Sequence, residues 1–430
     1  MKKNKFIKSA LILMIGGFFT KLLGMAIRIL TSRILGKVGI GLYSLVMPTF
    51  MLFIALCQLG FPIAISKLVA EENRNNKKLV LGLIPISLIL NFILMIILFL
   101  IAPILSKYLL HEKRCMYAIM AIGTVLPFIS ISSILRGYFF GKEKMLIHVF
   151  SNIMEDVVRL VLIIIFLPLI LNVSLELSIA FLIFSNVASE LTSILIFLFF
   201  LPKNQNIRKK DFILDKQNRH DVFSIGLPLT GSRLIGNIGS FLEPIIMTSI
   251  LISVGYSNQY IIEEYGILNG FVMPILLLPS FFTTAISQAM VPSISKSFVE
   301  KDRIYVSKKI KQGIYLSLAV GVPITILFLI NPTIFLKFLY QTSEGSLYLK
   351  VLSPIFLLQY IQSPMSSSLQ AMGKASISMK ATLIGTILKL TSLAIFSFLK
   401  IGLWSFVISI SMSIIVTSLY EARCLKKILN

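Results

Sequence analysis

Apolar stretches that are long enough to cross a bilayer recur along the whole chain. A membrane-spanning helix needs about 20 mostly apolar residues, and each such stretch is bounded here by charged residues, proline or glycine. Only 14% of the residues are charged and the mean hydropathy is +0.90, whereas about 25% of the residues in soluble domains are charged. We therefore predict an all-α, polytopic membrane protein with about 12 transmembrane helices. The predicted spans are residues 9–35, 40–66, 79–104, 116–138, 147–171, 177–201, 222–251, 266–292, 310–331, 346–370, 376–399 and 402–422.

Lysine and arginine are distributed unequally between the two sides of these spans. The N-terminus and the connections on its side contain 28 of them, and the connections on the opposite side contain 6. Positive residues accumulate on the cytoplasmic side of a membrane. We therefore expect a multi-pass protein of the plasma membrane with both termini in the cytoplasm. The net charge of +23 is then mainly a determinant of orientation, and we do not expect nucleic acid as a partner.

The first span contains three basic residues and no acid. Lys21 and Arg28 lie on the face of the helix that also carries two glycines, since about 100° separates successive residues. A charge in the hydrocarbon core costs between ~2.5 and 17 kcal/mol. These two cations should therefore face a water-filled cavity, which would favour an anion. The alternative is that they snorkel to the membrane surface or pair with acids of other helices, and we expect this alternative for Arg33.

The longest polar connection, residues 202–220, divides the chain nearly in half. It predicts an N-terminal six-helix bundle (1–201), a basic cytoplasmic linker that lies against anionic membrane lipids, and a C-terminal six-helix bundle (221–430). The tripeptide Val-Met-Pro occurs at residues 46–48 and again at 272–274, at corresponding places in the two halves. Each half begins on the same side of the membrane. We therefore predict two bundles related by a parallel pseudo-twofold repeat around a central cavity.

The repeat makes span seven the counterpart of span one. Arg233, Asn237 and Ser240 recur there on one face of a helix, and Glu243 lies about 80° from that line. We expect Arg233 and Asn237 to contribute with Lys21 and Arg28 to an anion-binding cavity.

Five further charged residues within the predicted spans are candidates for functional roles. Glu155 and Asp156 are spaced to pair with Arg159 on one helix, which predicts a largely self-neutralised cluster. Glu190 is an intramembrane carboxylate, and either a coupling-ion or proton site or the partner of a span-one cation is consistent with it. Lys389 either snorkels or lines the cavity. Asp156, Glu190 and Glu243 are thus candidates for coupling or counter-charge, and Arg159 and Lys389 are candidate cavity cations.

Three classes of function can be compared with these features. A transporter or flippase of a large anionic amphiphile fits the basic stripe and the two similar halves. A cation-coupled drug exporter would use the intramembrane acids instead. A membrane enzyme would need clustered carboxylates or histidines, and neither catalytic residues nor a metal site is predicted. No GxxxxGK[ST] motif occurs, so we expect no ATP hydrolysis by this chain. We expect no cofactor, and coupling to Na⁺, H⁺ or the membrane potential is possible. We also expect a monomer.

The residues also resemble a known family. The runs FTKLLGMAIRILTSRILGKVGIGLYSLVMP (19–48), YGILNGFVMPILLLP (265–279) and AISQAMVPSISK (285–296) are similar to the polysaccharide-transport branch of the MOP flippase superfamily. The likeness is strongest to its sporulation branch and weaker to the lipid II flippases. It implies export of an undecaprenyl-pyrophosphate-linked saccharide, such as a peptidoglycan precursor for the spore cortex. In the lipid II flippases, first-helix cations at the places of Lys21 and Arg28 line the central cavity.

Two departures from that family pattern affect what can be carried over. Flippases of this type commonly have fourteen helices, and the last two help to form a groove for the lipid tail, whereas twelve are predicted here. In addition, Asn269 stands in a region where the lipid II branch carries charge, which leaves Arg233 as the substitute cation.

Overall fold

The protein is all-helical throughout the part that the computed structural model describes, which is residues 2–71, 75–202 and 208–429. Short 3₁₀ or π-helical turns occupy Leu105–Leu109, Lys113–Cys115, Lys209–Phe212 and Ile267–Val272. Residues 203–207 of the predicted linker lie outside the described residues. The helices are α1 Lys2–Gln58, α2 Phe61–Ala70, α3 Asn76–Ile104, α4 Met116–Gly141, α5 Met145–Leu171, α6 Leu175–Phe199, α7 Lys216–Ser253, α8 Asn258–Gly266, α9 Met273–Leu276, α10 Leu278–Val299, α11 Arg303–Ile330, α12 Pro332–Tyr340, α13 Ser346–Ala371, α14 Ala375–Phe398 and α15 Trp404–Leu429.

The first two predicted spans share helix α1, which bends at Gly36. The backbone of Gly36 has φ 63° and ψ −174°, a conformation that only glycine adopts without strain. The helical hydrogen bonding is interrupted there, so residues before and after Gly36 form two separate rods.

Eight helices of the described chain are long and apolar enough to cross a membrane, and the bent pair Asn258–Leu276 and Leu278–Val299 makes a ninth. The two segments of that pair meet at 44°. The prediction of 12 spans is larger for identifiable reasons. It divides α1 in two, and it also includes α5, which carries three charges, and α13, which is rich in serine and glutamine. Every predicted span falls on helical segments, which confirms the fold class of an all-α, polytopic membrane protein.

The chain forms two compact units. Unit 1 comprises Met1–Leu35 and Leu42–Phe241, and unit 2 comprises Gly36–Gly41 and Leu242–Asn430. The predicted division into bundles at residues 201 and 221 stays a prediction.

The core of unit 1 lies where α4 packs against α2, α3 and α6. Phe139 of α4 stacks on Phe197 of α6 with ring centroids 5.1 Å apart. Two glycines of α4 permit a close approach to α2: a Cβ atom at Gly137 would lie 2.7 Å from the carbonyl oxygen of Pro62, and one at Gly141 would lie 2.6 Å from that of Ser66. Small residues four apart are a common means of close helix packing in membranes.

The core of unit 2 is formed by α10, α11, α13 and α15. Its fully buried centre includes Ile294, Val306 and Leu369. Lys37, in the short segment of α1 that belongs to this unit, lies 2.9 Å from Glu344 and 3.3 Å from Glu263. These ion pairs attach Gly36–Gly41 to the rest of unit 2.

Candidate functional site

The first half of α1 presents an open face that carries both predicted anion-binding cations. Lys21 and Arg28 are exposed. A Cβ atom added at Gly17 or Gly24 would meet no other atom within 4 Å. The glycines therefore do not serve close helix packing, and they leave the space beside the two cations open to a ligand. Seven residues separate the cations along the helix, which is about 10 Å.

A cavity of about 250 Å³ lies inside unit 1 next to this part of α1. Ile27 and Thr31, which flank Arg28 in the sequence, belong to its lining. Tyr43 also lines it. The cavity thus borders the same helix that carries the basic face. The polar lining includes Thr31, Tyr43, Glu155, Arg159, Asn186 and Glu190.

A buried charge network joins three helices at this cavity. Arg136 of α4 donates a hydrogen bond to Glu155 of α5 at 2.9 Å and lies 3.8 Å from Glu190 of α6. Arg159 lies 3.4 Å from Glu155, one turn away on α5. The Ser132 hydroxyl of α4 donates a hydrogen bond to Glu190. Ion pairs of this kind are costly to break by removing one partner, because the other charge is then left buried.

Asp156 adds a third acid to this region. Asp156 and Glu190 are each only 8% exposed. Asp156 Oδ2 is buried without a hydrogen-bond partner in the described residues. This part of unit 1 thus brings three acids, Glu155, Asp156 and Glu190, close to the cations Arg136 and Arg159.

The residues predicted on α7 fall into different units. Arg233 is exposed, and Asn237 donates a hydrogen bond from its amide to the Met51 carbonyl oxygen at 3.2 Å. Both belong to unit 1, whereas Glu243 belongs to unit 2. The structure thus leaves the Arg233 side chain accessible and uses the Asn237 side chain to attach α7 to α1.

Lys389 and Glu243 form an ion pair within unit 2. The Lys389 ammonium group contacts a Glu243 carboxylate oxygen and lies 5.3 Å from the centre of the Phe406 ring. The side chains are 24% and 10% exposed. Lys389 thus has a counter-charge within unit 2, and its predicted role in lining a cavity stays a prediction.

Arg136 was not predicted as a site residue. The count of basic residues assigned it to the connection after the fourth span, whereas it lies within α4, which continues to Gly141, and its side chain contacts Glu155 and Glu190. Because Arg136 was assigned to a connection, the cations of span one were the only candidate partners considered for Glu190. The spacing of Ser132 and Arg136, one helical turn apart at the end of an apolar run, is the pattern that would have indicated a polar helix face.

The sequence of the chain matches a known protein family. A family profile described as polysaccharide biosynthesis protein matches residues 6–298, more than half of the chain. The chain belongs to the polysaccharide biosynthesis protein family. A second profile, MatE, matches residues 238–395 of this family member.

Individual relatives extend the match over the whole chain. Stage V sporulation protein B of Bacillus subtilis (strain 168) is 34% identical over 441 residues, which cover 100% of this chain and 85% of that protein. The lipid II flippase MurJ of the same organism is 22% identical over 419 residues, which cover 90% of this chain and 76% of that protein. Among solved structures, an inward-facing multidrug resistance MATE family transporter of the MOP superfamily superimposes with a TM-score of 0.73 at 18% identity, covering 95% of this chain and 94% of that one.

These findings confirm the predicted resemblance and the MATE/MOP-like fold class. The chain is therefore a member of the polysaccharide biosynthesis protein family, and it is a multi-pass membrane protein whose fold resembles that of MATE transporters.

Proposed function

We propose that this protein moves an undecaprenyl-pyrophosphate-linked saccharide across the plasma membrane by alternating access, and that the saccharide is a peptidoglycan precursor such as lipid II, used for spore cortex synthesis. The observation that carries the proposal is the open face of α1 with Lys21 and Arg28. A pyrophosphate brings multiple negative charges into the membrane, and two basic side chains on an open face would offset the cost of that transfer.

Relatives support the class of substrate. One relative is named a sporulation protein and another a lipid II flippase, and both matches extend over at least 90% of this chain. On the basis of these names, we include a lipid-linked saccharide in the proposal as the partner of this protein.

The charge cluster of unit 1 supplies a means of coupling in this proposal. One of its acids, among Glu155, Asp156 and Glu190, would bind Na⁺ or H⁺ from a gradient. Because the chain has no nucleotide-binding motif, the ion gradient or the membrane potential would drive transport.

A cation-coupled multidrug exporter is the second candidate. The observation that favours it is the acidic lining of the 250 Å³ cavity, where Glu155 and Glu190 would attract a cationic drug. The fold shared with a multidrug resistance transporter is compatible with either function.

A transport assay separates the two candidates. Purified protein in liposomes is offered labelled lipid II, a neutral polyprenyl glycan or a cationic dye, and translocation is followed by quenching of the label that remains outside. We expect transfer of lipid II and not of the neutral glycan. Transfer of the dye alone would refute the flippase proposal and support the exporter.

The proposed orientation, with both termini in the cytoplasm, has its own test. A fluorescent protein that matures only in the cytoplasm should fluoresce when fused after Leu429, and a periplasmic or extracellular phosphatase fused there should be inactive. The opposite pattern would contradict the 28-to-6 distribution of basic residues as a guide to this chain.

A further inference from the structure

An open groove of about 900 Å³ runs along the first half of α11, and Leu429 of α15 also lines it. All of its lining residues belong to unit 2, so it is separate from the cavity of the proposed transport site. Its volume is in the range of sites that hold small organic ligands.

The end of the groove near the start of α11 is basic. Arg303, Lys308 and Lys311 line it, and all three are exposed. The acids closest in sequence are engaged elsewhere: Asp302 caps the helix by accepting a hydrogen bond from the Tyr305 amide at 2.9 Å, and Glu300 lies 3.8 Å from Lys296. No acid is among the lining residues described for the groove. An anion entering it would therefore meet three cations without a competing carboxylate.

The other end of the groove is apolar. Tyr315, Leu316 and Ala319 follow the cations along the same face of α11, and the 69% exposed Tyr315 stands between the two parts. From Gly313 to Ile330 the helix has no charged residue. The distance along the axis from Lys308 to Ala319 is about 16 Å. Tyrosine is enriched at the boundary between headgroups and hydrocarbon, which places that boundary within the groove.

We propose that this groove is a binding site for an anionic glycerophospholipid. The phosphate lies among Arg303, Lys308 and Lys311, and an acyl chain lies along Leu316 and Ala319 past the Tyr315 ring. The order basic, aromatic, apolar along one helix face matches the order phosphate, glycerol, acyl chain in a lipid. A free phosphate would use only the first part of the groove, and a nucleic acid would find the second part unsuitable.

Native mass spectrometry of the full chain in detergent tests the proposal. Phosphatidylglycerol and phosphatidylcholine of equal acyl length are titrated, and we expect phosphatidylglycerol to bind preferentially. Each lysine near an anionic headgroup contributes about fivefold in affinity, so Lys308→Gln together with Lys311→Gln should weaken phosphatidylglycerol binding roughly 25-fold. These residues are exposed, and an unchanged melting temperature would show that the variant folds.

Lys309→Gln is the matched control on the same helix. Its ammonium group donates to Gln312 at 3.1 Å and lies 5.6 Å from the Tyr305 ring centre, and it does not line the groove. Binding by this variant should be unchanged. Ala319→Trp should fill the apolar end and weaken phosphatidylglycerol as well.

Three results would overturn the proposal. Equal binding of the two lipids would exclude recognition of the headgroup. An equal loss from Lys309→Gln would show a general charge effect rather than a site. Displacement of phosphatidylglycerol by equimolar glycerol 3-phosphate, with no effect of Ala319→Trp, would show a phosphate site that does not involve the acyl chain.

Discussion

Arg136 lies 2.9 Å from Glu155, and through this contact α4 is tied to α5 beside the cavity of unit 1. The Arg136 side chain is 27% exposed and that of Glu155 is 13% exposed. Arg136 also lies 3.8 Å from Glu190 of α6. One guanidinium group thus contacts carboxylates of two other helices, and we expect a substitution there to lower stability.

We expect Arg136→Gln to destabilise unit 1 by roughly 1–3 kcal/mol. Removing one partner of a fully buried ion pair costs about 3–5 kcal/mol, and the partial exposure of Arg136 lowers that figure. The thermal midpoint in detergent is the measurement. Arg219→Gln, which removes an exposed arginine of the same unit, should leave the midpoint unchanged. An equal midpoint for wild type and Arg136→Gln would show that the network does not hold these helices together.

The open face of α1 predicts a different outcome, loss of transport without loss of folding. Lys21→Ala and Arg28→Ala should each reduce lipid II transfer at least tenfold, because each removes an interaction of about 1.5–3 kcal/mol with a charged group. Membrane expression and the thermal midpoint should stay at wild-type levels. Arg33→Ala is the matched control on the same helix and should transport normally. Full activity of both Lys21 and Arg28 variants would exclude this face as the anion site.

Much of the helix layout could be predicted from sequence, and much of the site could not. Runs of about 20 apolar residues identify a spanning helix wherever they occur, and charges at their ends set the bounds. Contacts between charged side chains of different helices join residues that are distant in sequence. A hydrophobicity pattern does not show which of these residues meet. Glu243 and Lys389 are 146 residues apart and both were predicted as separate intramembrane charges. Arg136 was not predicted as a site residue for a different reason. It lies near the predicted end of the fourth span, so it was counted with the loop charges although it belongs to α4.

The pair of Lys389 and Glu243 predicts a rescue by charge exchange. Glu243→Lys alone places two cations together in unit 2 and should lower the thermal midpoint strongly, by the equivalent of roughly 3–5 kcal/mol. Glu243→Lys combined with Lys389→Glu restores opposite charges and should recover more than half of that loss. A double variant as unstable as the single one would show that the contact of these two side chains does not contribute to stability.

Asp211, in the described part of the predicted linker, is expected to make stability depend on pH. Its carboxylate lies 2.6 Å from the Lys77 ammonium group, and this hydrogen bond lowers the pKa of Asp211. A carboxylate with a lowered pKa stabilises the folded protein above its unfolded pKa of about 4, and the contribution is lost as the pH falls through the folded pKa. Asp211→Asn should therefore lower the thermal midpoint at pH 7 and have a smaller effect at pH 2. A difference of the same size at both values would assign the effect to something other than the charge.

Two glycine-to-alanine substitutions compare a packed face with an open one. At Gly137 the added Cβ atom would lie 2.7 Å from the Pro62 carbonyl oxygen, so α2 and α4 would have to separate. We expect Gly137→Ala to destabilise the protein by about 1–3 kcal/mol, the usual range for overpacking. At Gly17 the Cβ atom meets nothing within 4 Å, and alanine is the better helix former by roughly 0.5–1 kcal/mol, so Gly17→Ala should be neutral or stabilising. If instead Gly17→Ala lowered the thermal midpoint as much as Gly137→Ala, the first half of α1 would be packed rather than open. The space beside Lys21 and Arg28 would then be too small for a pyrophosphate.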